Sequence, residues 1–438
     1  MDQRTQLLGE IAARYGTPCF VYFMDDARAR VSALREAFSG LFGVSYAMKC
    51  NPHPGVVSRL AECVDTLDVS SGGELRIALG LDYPAHKISF TGPAKSTEDL
   101  ALAVEHAIGE VVVESVREAC ELNRIARTAR KRQRVLVRIA PSRVPRGFGV
   151  NMAGRPCQFG IDEEDAREAV RCILDLPGLE LVGFHIYSGT QCLKPDAIAE
   201  NYGIFMEVFR ELCDAHQIVP QKLVFGSGFG VPYHDQDRAV NAREVAEFAL
   251  PKLRAFKQEP RFADTEMLLE TGRYLIGEAG IYLTRAVNRK RSRGAEIATF
   301  DGGMNHHLGA CGHLGMALHR NYRLFKVSST TAGEDGPAQA FDLYGPLCTS
   351  IDVLGRGVML PGLQVGDVIG IHCSGAYGVT ASPAHFISHD LPTELVVEGD
   401  APQLVIEISS RKRHGEFARS SGIEACADER ARPGRGEH

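Results

Sequence analysis

Between about residues 40 and 280, eight short apolar runs alternate with longer amphipathic stretches. The runs read "GVSYAM", "TLDVSS", "KISFTG", "EVVVES", "RVLVRIA", "LVGFHIYS", "KLVFGSG" and "EMLLETG". Each is strand-length and rich in β-branched or aromatic residues. Stretches between them, such as "STEDLALAVEHAI", "SVREACELNRIARTAR" and "DEEDAREAVRCIL", are rich in the helix formers Ala, Leu, Glu and Arg. Apolar strands joined by helices imply parallel pairing with both sheet faces covered. Eight such units predict an α/β protein built on a (β/α)8 barrel. A doubly wound open sheet is the alternative, but no G-x-G-x-x-G turn follows the first run to support it.

After about residue 285 the texture changes. "GIYLTRAVNRK", "AEIATFDGG", "YRLFKVSS", "AFDLYGPLC", "DVIGIHC" and "ELVVEG" are strand runs separated by Gly, Pro and Asp turns, with little helix between them. They predict a mainly β domain over 283–410, after a barrel over 39–282. The N-terminal segment 1–38, a strand-like run "TPCFVYFMD" and a helix, is expected to join the β domain. The tail 411–438 mixes both charges with Gly and Pro and is expected to be mobile.

The barrel reading gives Lys49 weight. It ends the first run, just before an Asn-Pro-x-Pro break, and a lysine is rarely buried unless paired. In a (β/α)8 barrel the C-terminal strand ends converge on one rim, where active sites form. On that rim Asp68 and Ser71 end the second run, Arg138 the fifth, and His185 and Ser188 the sixth. "GSGFG", containing Gly228, Phe229 and Gly230, follows the seventh, and Glu270 and Arg273 the eighth. A glycine-rich loop there suits a phosphate, held by backbone N–H groups. A lysine beside a phosphate site suggests a Schiff base to an aldehyde cofactor, and pyridoxal 5'-phosphate has both groups. A carboxylate opposite the pyridine nitrogen would keep that nitrogen protonated. A phosphosugar isomerase or aldolase would also use a lysine and a phosphate loop, but would not need the second domain.

These residues carry a family resemblance. "YAMKCN", "DVSSGGEL", "HIYSGTQ", "GSGFGVPY", "ETGRYLIGEAG", "DGGMN", "GPLCTSID" and "SGAYG" resemble, in order, the ornithine/diaminopimelate/arginine decarboxylases, pyridoxal-phosphate enzymes of the alanine-racemase-like fold. The resemblance runs from about residue 20 to 390. It implies that Lys49 binds the cofactor aldehyde, that His185 stacks on its ring and that Glu270 faces the ring nitrogen. Gly228 to Gly230 and Arg273 would hold the phosphate, Tyr377 would reach it from the β domain, and Asp68, Arg138, Ser188 and Phe229 would complete the cofactor's surroundings. The family also places Cys348 in the active site of a neighbouring subunit, with Asp352 nearby, which implies a homodimer with shared sites.

Two departures narrow the substrate. Family members acting on diamino substrates usually have an acidic residue after this cysteine, to meet the distal ammonium; here it is Thr349. A buried ammonium without its carboxylate would lose several kcal/mol. After "DGGMN" the diaminopimelate enzymes carry Arg-Pro-x-Leu-Tyr, whereas this chain has "HHLGACGHLGMALHRNYR", making His306 and His307 candidate substrate contacts. The segments "Y-x-G-T-Q", "GGM-x-HH" and "GPLCT" resemble the branch acting on glutamate tethered to an acyl carrier protein. The expected activity is decarboxylation of an amino acid whose far end is uncharged or carrier-linked, with a small-molecule amino acid or an aminoacyl carrier protein as partner. The alternatives are decarboxylation of diaminopimelate or another free basic amino acid, amino-acid racemisation, and non-catalytic pyridoxal-phosphate binding. A racemase of this fold sets an arginine at the ring nitrogen and lacks the Cys348 motif, and the binding proteins resemble the barrel alone.

Bulk properties bound the partners. At 438 residues and a net charge of -6, the chain offers no electrostatic case for nucleic acid or an anionic membrane. Its apolar runs fall well short of the roughly 18 residues of a membrane span. "MDQRTQLLGE" shows no basic region followed by an apolar core, so no secretory signal is expected. The 12 cysteines are scattered, without a C-x-x-C pair, which suits reduced thiols in a cytoplasm. His307 and Cys311, four residues apart, imitate half a metal site, but no second half is evident and no metal is expected.

Overall fold

The computed structural model describes residues 3–314, 320–328 and 337–399, together with the backbone of 405–408. Its first layer is a closed barrel of eight parallel strands: Gly43–Ala47, Thr66–Val69, Ile88–Phe90, Glu110–Val113, Gln133–Ala140, Leu179–Ile186, Lys222–Gly226 and Glu266–Thr271. Each pairs with the next, and the eighth closes on the first, Glu270 opposite Ser45. These are the eight apolar runs of the sequence.

Side-chain parity explains which residues reach the rim. Val112, Leu136, Val182, Val224 and Leu268 form a cluster of their own, separate from the core under the helices. Two residues further along a strand the side chain returns to the same face. Glu114, Arg138, Gly226 and Glu270 therefore form the next layer toward the C-terminal rim. The sixth strand would break this rule, since Val182 and His185 are three apart. Its ladder with the fifth strand slips by one residue: Val135 pairs with Leu181, but Leu136 pairs with Gly183. This bulge brings His185 opposite Arg138. Gly183 permits it, because a Cβ there would lie 1.7 Å from the Lys222 carbonyl oxygen.

The second layer is a nine-stranded sheet. Cys19–Phe23 lies inside it, antiparallel to Gly280–Ser292 and parallel to Thr393–Glu398. Gly280–Ser292 also pairs with Ala295–Phe300 and Val368–Ile371, and the sheet continues through Gln339–Tyr344 and Val353–Leu360. The last of these went unread in the sequence because Gly355 and Gly357 interrupt its apolar run, and its pairing with Gln339–Tyr344 is irregular. The N-terminal segment divides between the layers. Helix Gln3–Tyr15 packs Leu8, Ile11 and Ala12 on the β-sheet, whereas helix Met24–Ala37 buries Ala27, Val31 and Leu34 in the core it shares with the barrel. The expected mobile tail, 411–438, lies outside the described residues. Among the described residues no helix is long and apolar enough to cross a membrane.

Candidate active site

The first barrel strand ends in a single 3-10 turn, Met48–Cys50, and Lys49 is its middle residue. Met48 and Cys50 are buried, while the Lys49 side chain is 34 % exposed at the rim. Its Nζ lies 3.6 Å from Glu270 Oε1 and 5.4 Å from the centre of the Tyr187 ring. Burial alone would lower the lysine's pKa, but the carboxylates of Glu270 and then Asp68 outweigh it and leave it raised.

Glu270 serves two neighbours. Its Oε2 lies 2.7 Å from His185 Nε2. Burial alone would raise this carboxyl's pKa, but Lys49 and His185 pull it down to about 2, so it is ionised at neutral pH. An ionised carboxylate only accepts hydrogen bonds, so His185 carries its proton on Nε2. Burial lowers the His185 pKa despite the nearby charge, which keeps the ring neutral and Nδ1 bare. Among the described residues, neither His185 Nδ1 nor Glu270 Oε1 has a hydrogen-bond partner. Asp68 behaves oppositely. Thr91 Oγ1 donates to its Oδ1 at 2.5 Å, Oδ2 has no partner, and burial followed by the Glu270 charge raises its pKa well above normal. Two nearby carboxyls are thus shifted in opposite directions by their surroundings.

The other end of the site pairs a glycine-rich loop with the Arg273 guanidinium. Gly228 has φ +73°, and a Cβ there would lie 2.7 Å from Phe148 Cε1. The loop is clamped to the ribbon formed by Phe148–Asn151 and Gly189–Cys192: Cys192 N–H donates to the Gly228 carbonyl at 3.0 Å, and Gly230 N–H to the Cys192 carbonyl at 2.9 Å. Arg273 Nη1 donates to the Tyr233 hydroxyl at 2.5 Å, its guanidinium stacks 4.5 Å from the Tyr377 ring centre, and its Nε has no partner. Tyr377 comes from the β domain. Its N–H donates to the Cys50 carbonyl at 2.7 Å, and Asn51 Nδ2 donates to the Gly375 carbonyl at 2.9 Å, docking that loop onto the lysine turn. Burial pushes the Tyr377 phenol up to about 12, so it remains a donor at neutral pH.

Lys49 and Glu270 at one end, and the glycine loop with Arg273 at the other, could hold an aldehyde-bearing, phosphate-bearing ring. Residues 24–277 match the pyridoxal-binding domain of the pyridoxal-dependent decarboxylases. The chain belongs to that family. It is 30 % identical to the L-glutamyl-[BtrI acyl-carrier protein] decarboxylase of Niallia circulans, over 90 % of this chain and 92 % of that protein. It is also 30 % identical to the diaminopimelate decarboxylase of Zymomonas mobilis, over 91 % of each. The diaminopimelate decarboxylase of Helicobacter pylori, solved with L-lysine, superposes with a TM-score of 0.79 at 25 % identity, covering 92 % of this chain and 96 % of that one.

Other residues singled out in this decarboxylase-family chain sit around the site rather than at its centre. Arg138 Nη1 pairs with Glu114 Oε1 at 2.9 Å, both buried, and its guanidinium covers the Phe159 ring. Ser188 Oγ donates to Asn201 Oδ1 at 2.9 Å, Ser71 caps the helix after the second strand, and Phe229 packs on Tyr274. Asp352 is buried, and its oxygens accept from Met304 N–H at 2.6 Å and Leu347 N–H at 2.8 Å, tying the "DGGMN" loop to the "GPLC" loop. His306 and His307 are buried within the β domain. His306 Nδ1 meets the Tyr282 hydroxyl at 3.2 Å and Nε2 the Asp390 carbonyl at 3.0 Å. His307 Nε2 meets Ser374 Oγ at 2.9 Å, and its Nδ1 accepts from Ala310 N–H at 3.3 Å. Cys348 is exposed and Thr349 half-exposed, and no described contact joins either to Lys49, Glu270 or Arg273.

Four residues of the site escaped sequence reasoning. Glu114 ends the fourth strand run and Thr91 follows the third, so the strand-end rule that found Asp68 would have found them. Tyr187 and Tyr233 stand in the quoted motifs "HIYSGTQ" and "GSGFGVPY", without a polar signature to separate them from packing aromatics.

Proposed function

We propose that the protein is an amino-acid decarboxylase in which Lys49 holds the aldehyde of pyridoxal 5'-phosphate and Glu270 its ring nitrogen. The observation that carries this reading is the Lys49–Glu270 pair at the barrel rim, 3.6 Å apart. When bound, the cofactor supplies an electron sink for the charge left on Cα as CO₂ departs. The chain's own residues support that chemistry. Ionised Glu270 would keep a proton on the ring nitrogen, and neutral His185 would add no competing positive charge beside it. The N–H groups of Gly228 and Phe229 and the Arg273 guanidinium would hold the phosphate, with Gly230 fixing the loop through Cys192 and Tyr377 alongside. Asp68, Arg138, Ser188 and Phe229 support this shell. A racemase would place an arginine where Glu270 stands.

The exposed Cys348 and half-exposed Thr349 suit a loop that completes a partner subunit's site, making the enzyme a homodimer with shared active sites. Asp352 and the buried His306 and His307 shape that loop from behind. Thr349 offers no charge to a distal ammonium, which favours a substrate whose far end is uncharged or tethered to a carrier protein, as in the Niallia circulans relative. The described cysteines are free thiols, consistent with a cytoplasmic enzyme. The chain divides into a barrel over 39–282 and a β domain over 283–410 that recruits the N-terminal strand.

The deciding measurement is CO₂ release from glutamyl carrier protein beside free glutamate, ornithine, lysine and diaminopimelate. Turnover confined to the carrier-linked substrate is expected. Preference for diaminopimelate would end the carrier reading, and racemisation without CO₂ release would end the decarboxylase reading.

A further inference from the structure

Tyr187 lies just past the sixth barrel strand, two residues after His185, and is half-buried at the rim. Its ring is seated by an absence. Gly226 ends the seventh strand, and a Cβ there would lie 2.6 Å from Tyr187 Cδ2 and 2.7 Å from its Cγ, so any larger residue would displace the ring. Gly226 is also the ladder partner of Glu270. The glycine that admits the ring therefore places it beside the strand bearing the carboxylate. The ring centre is 5.4 Å from Lys49 Nζ, within cation–π range. Lys49 thus has two non-covalent holds, a carboxylate and an aromatic face.

We propose that Tyr187 is a positioning residue for Lys49: its ring face holds the ammonium beside Glu270 and restrains its conversion to the free amine that captures an aldehyde. An aromatic face attracts the charged ammonium and is indifferent to the neutral amine. Removing the face therefore raises the fraction of reactive amine at a given pH. The other titratable groups acting on Lys49 are Glu270, Asp68, Tyr377, Glu74 and Cys50; Tyr377 also feels Tyr187, and Tyr187→Phe, which removes the phenol but keeps the ring, controls for that link. The inference rests on Lys49 being the reactive amine.

The test uses full-length protein freed of cofactor, at one fixed neutral pH. Formaldehyde and pyridoxal without its phosphate are supplied separately, captured adducts are reduced, and the rate of modification at residue 49 is read by peptide mass. Tyr187→Leu and the longer, unbranched Tyr187→Met should capture both aldehydes faster by the same factor, about three- to tenfold, while Tyr187→Phe keeps the wild-type rate. Unchanged rates in the ring-less variants, or a Phe variant as fast as they are, would overturn the proposal. So would faster capture of pyridoxal alone, because a ring that merely blocks the path slows the larger aldehyde more. Unfolding is checked by circular dichroism, and a variant that fails to fold leaves the other ring-less one to decide. The other lysine peptides supply the comparison: if the wild-type residue-49 peptide is modified no faster than they are, the assignment of Lys49 fails, not that of Tyr187.

Discussion

His185 Nε2 and Glu270 Oε2 stand 2.7 Å apart with both side chains 1 % exposed, while Lys49 Nζ lies 3.6 Å from the other oxygen of that carboxylate. One buried anion thus fixes the tautomer of an imidazole and holds the reactive amine. Glu270→Gln keeps the shape and removes the charge. The variant should still take up cofactor and show its visible absorbance, because Lys49, Arg273 and the glycine loop are untouched. Turnover should fall at least about a hundredfold, on the order of 3 kcal/mol of barrier, since a neutral amide does not keep a proton on the ring nitrogen. Near-normal kcat in this variant would remove Glu270 from the ring nitrogen and reopen the racemase alternative.

Cys348 is exposed in the single chain, and the proposed function places its loop in a partner subunit's site. If that loop completes the partner's site, two dead chains can repair each other. Lys49→Ala and Cys348→Ala should each be inactive alone. Mixed under conditions of subunit exchange, they should regain activity, because each heterodimer holds one site with both lesions and one with neither. Exchange shown by mass spectrometry with no return of activity would exclude the shared site.

Asp352 sits between two glycines, and a Cβ on Gly303 or Gly345 would lie 2.3 Å from its Oδ1. The carboxylate fills that gap, and each of its oxygens accepts a backbone N–H. In Asp352→Asn one oxygen becomes an NH₂ group that must face either Met304 N–H or Leu347 N–H, donor against donor. A buried unsatisfied donor costs roughly 1–3 kcal/mol, and the crowding leaves the side chain no room to turn away. The urea midpoint should drop accordingly. A variant as stable as wild type would show that the two loops do not depend on this carboxylate.

The barrel was legible because each strand is a short apolar run bounded by turn residues, and the rim residues because strand ends share one face of a closed barrel. What stayed hidden depends on register or on contacts between distant segments. His185 faces inward only because the ladder slips at Val182–Gly183, which no local pattern announces. Asp352, His306 and His307 stand in motifs whose polar residues suggest chemistry, and nothing in those motifs announces their partners. Their hydrogen bonds to Met304, Leu347, Ser374 and Asp390 exist only once the β domain has folded. Tyr187 looked like any aromatic after a strand, since the gap that seats it belongs to Gly226, nearly 40 residues on.

His307 offers a test of that buried histidine network through pH. The rings of Phe20, Tyr282 and Tyr322 surround it at 5.7, 5.8 and 5.7 Å between centres. Ser374 Oγ and Ala310 N–H satisfy its two nitrogens in the neutral form. Burial pushes its pKa from the ordinary 6.5 down to about 3. The folded-state value is thus depressed, and for a base this means that the fold excludes the proton. Above about pH 6.5 neither state is protonated and stability is unaffected. As pH falls below that value the unfolded chain takes up a proton that the fold refuses until about pH 3, so stability is lost across this window. His185 and His372 are shifted in the same direction, so wild type alone does not isolate the effect. His307→Gln keeps a donor and an acceptor but does not titrate. Between pH 7 and pH 5 wild type should lose about 2 kcal/mol more unfolding free energy than this variant, read from urea titrations at each pH. Parallel losses in the two proteins would mean that His307 protonates as readily folded as unfolded, and that the aromatic cage around it is open to water.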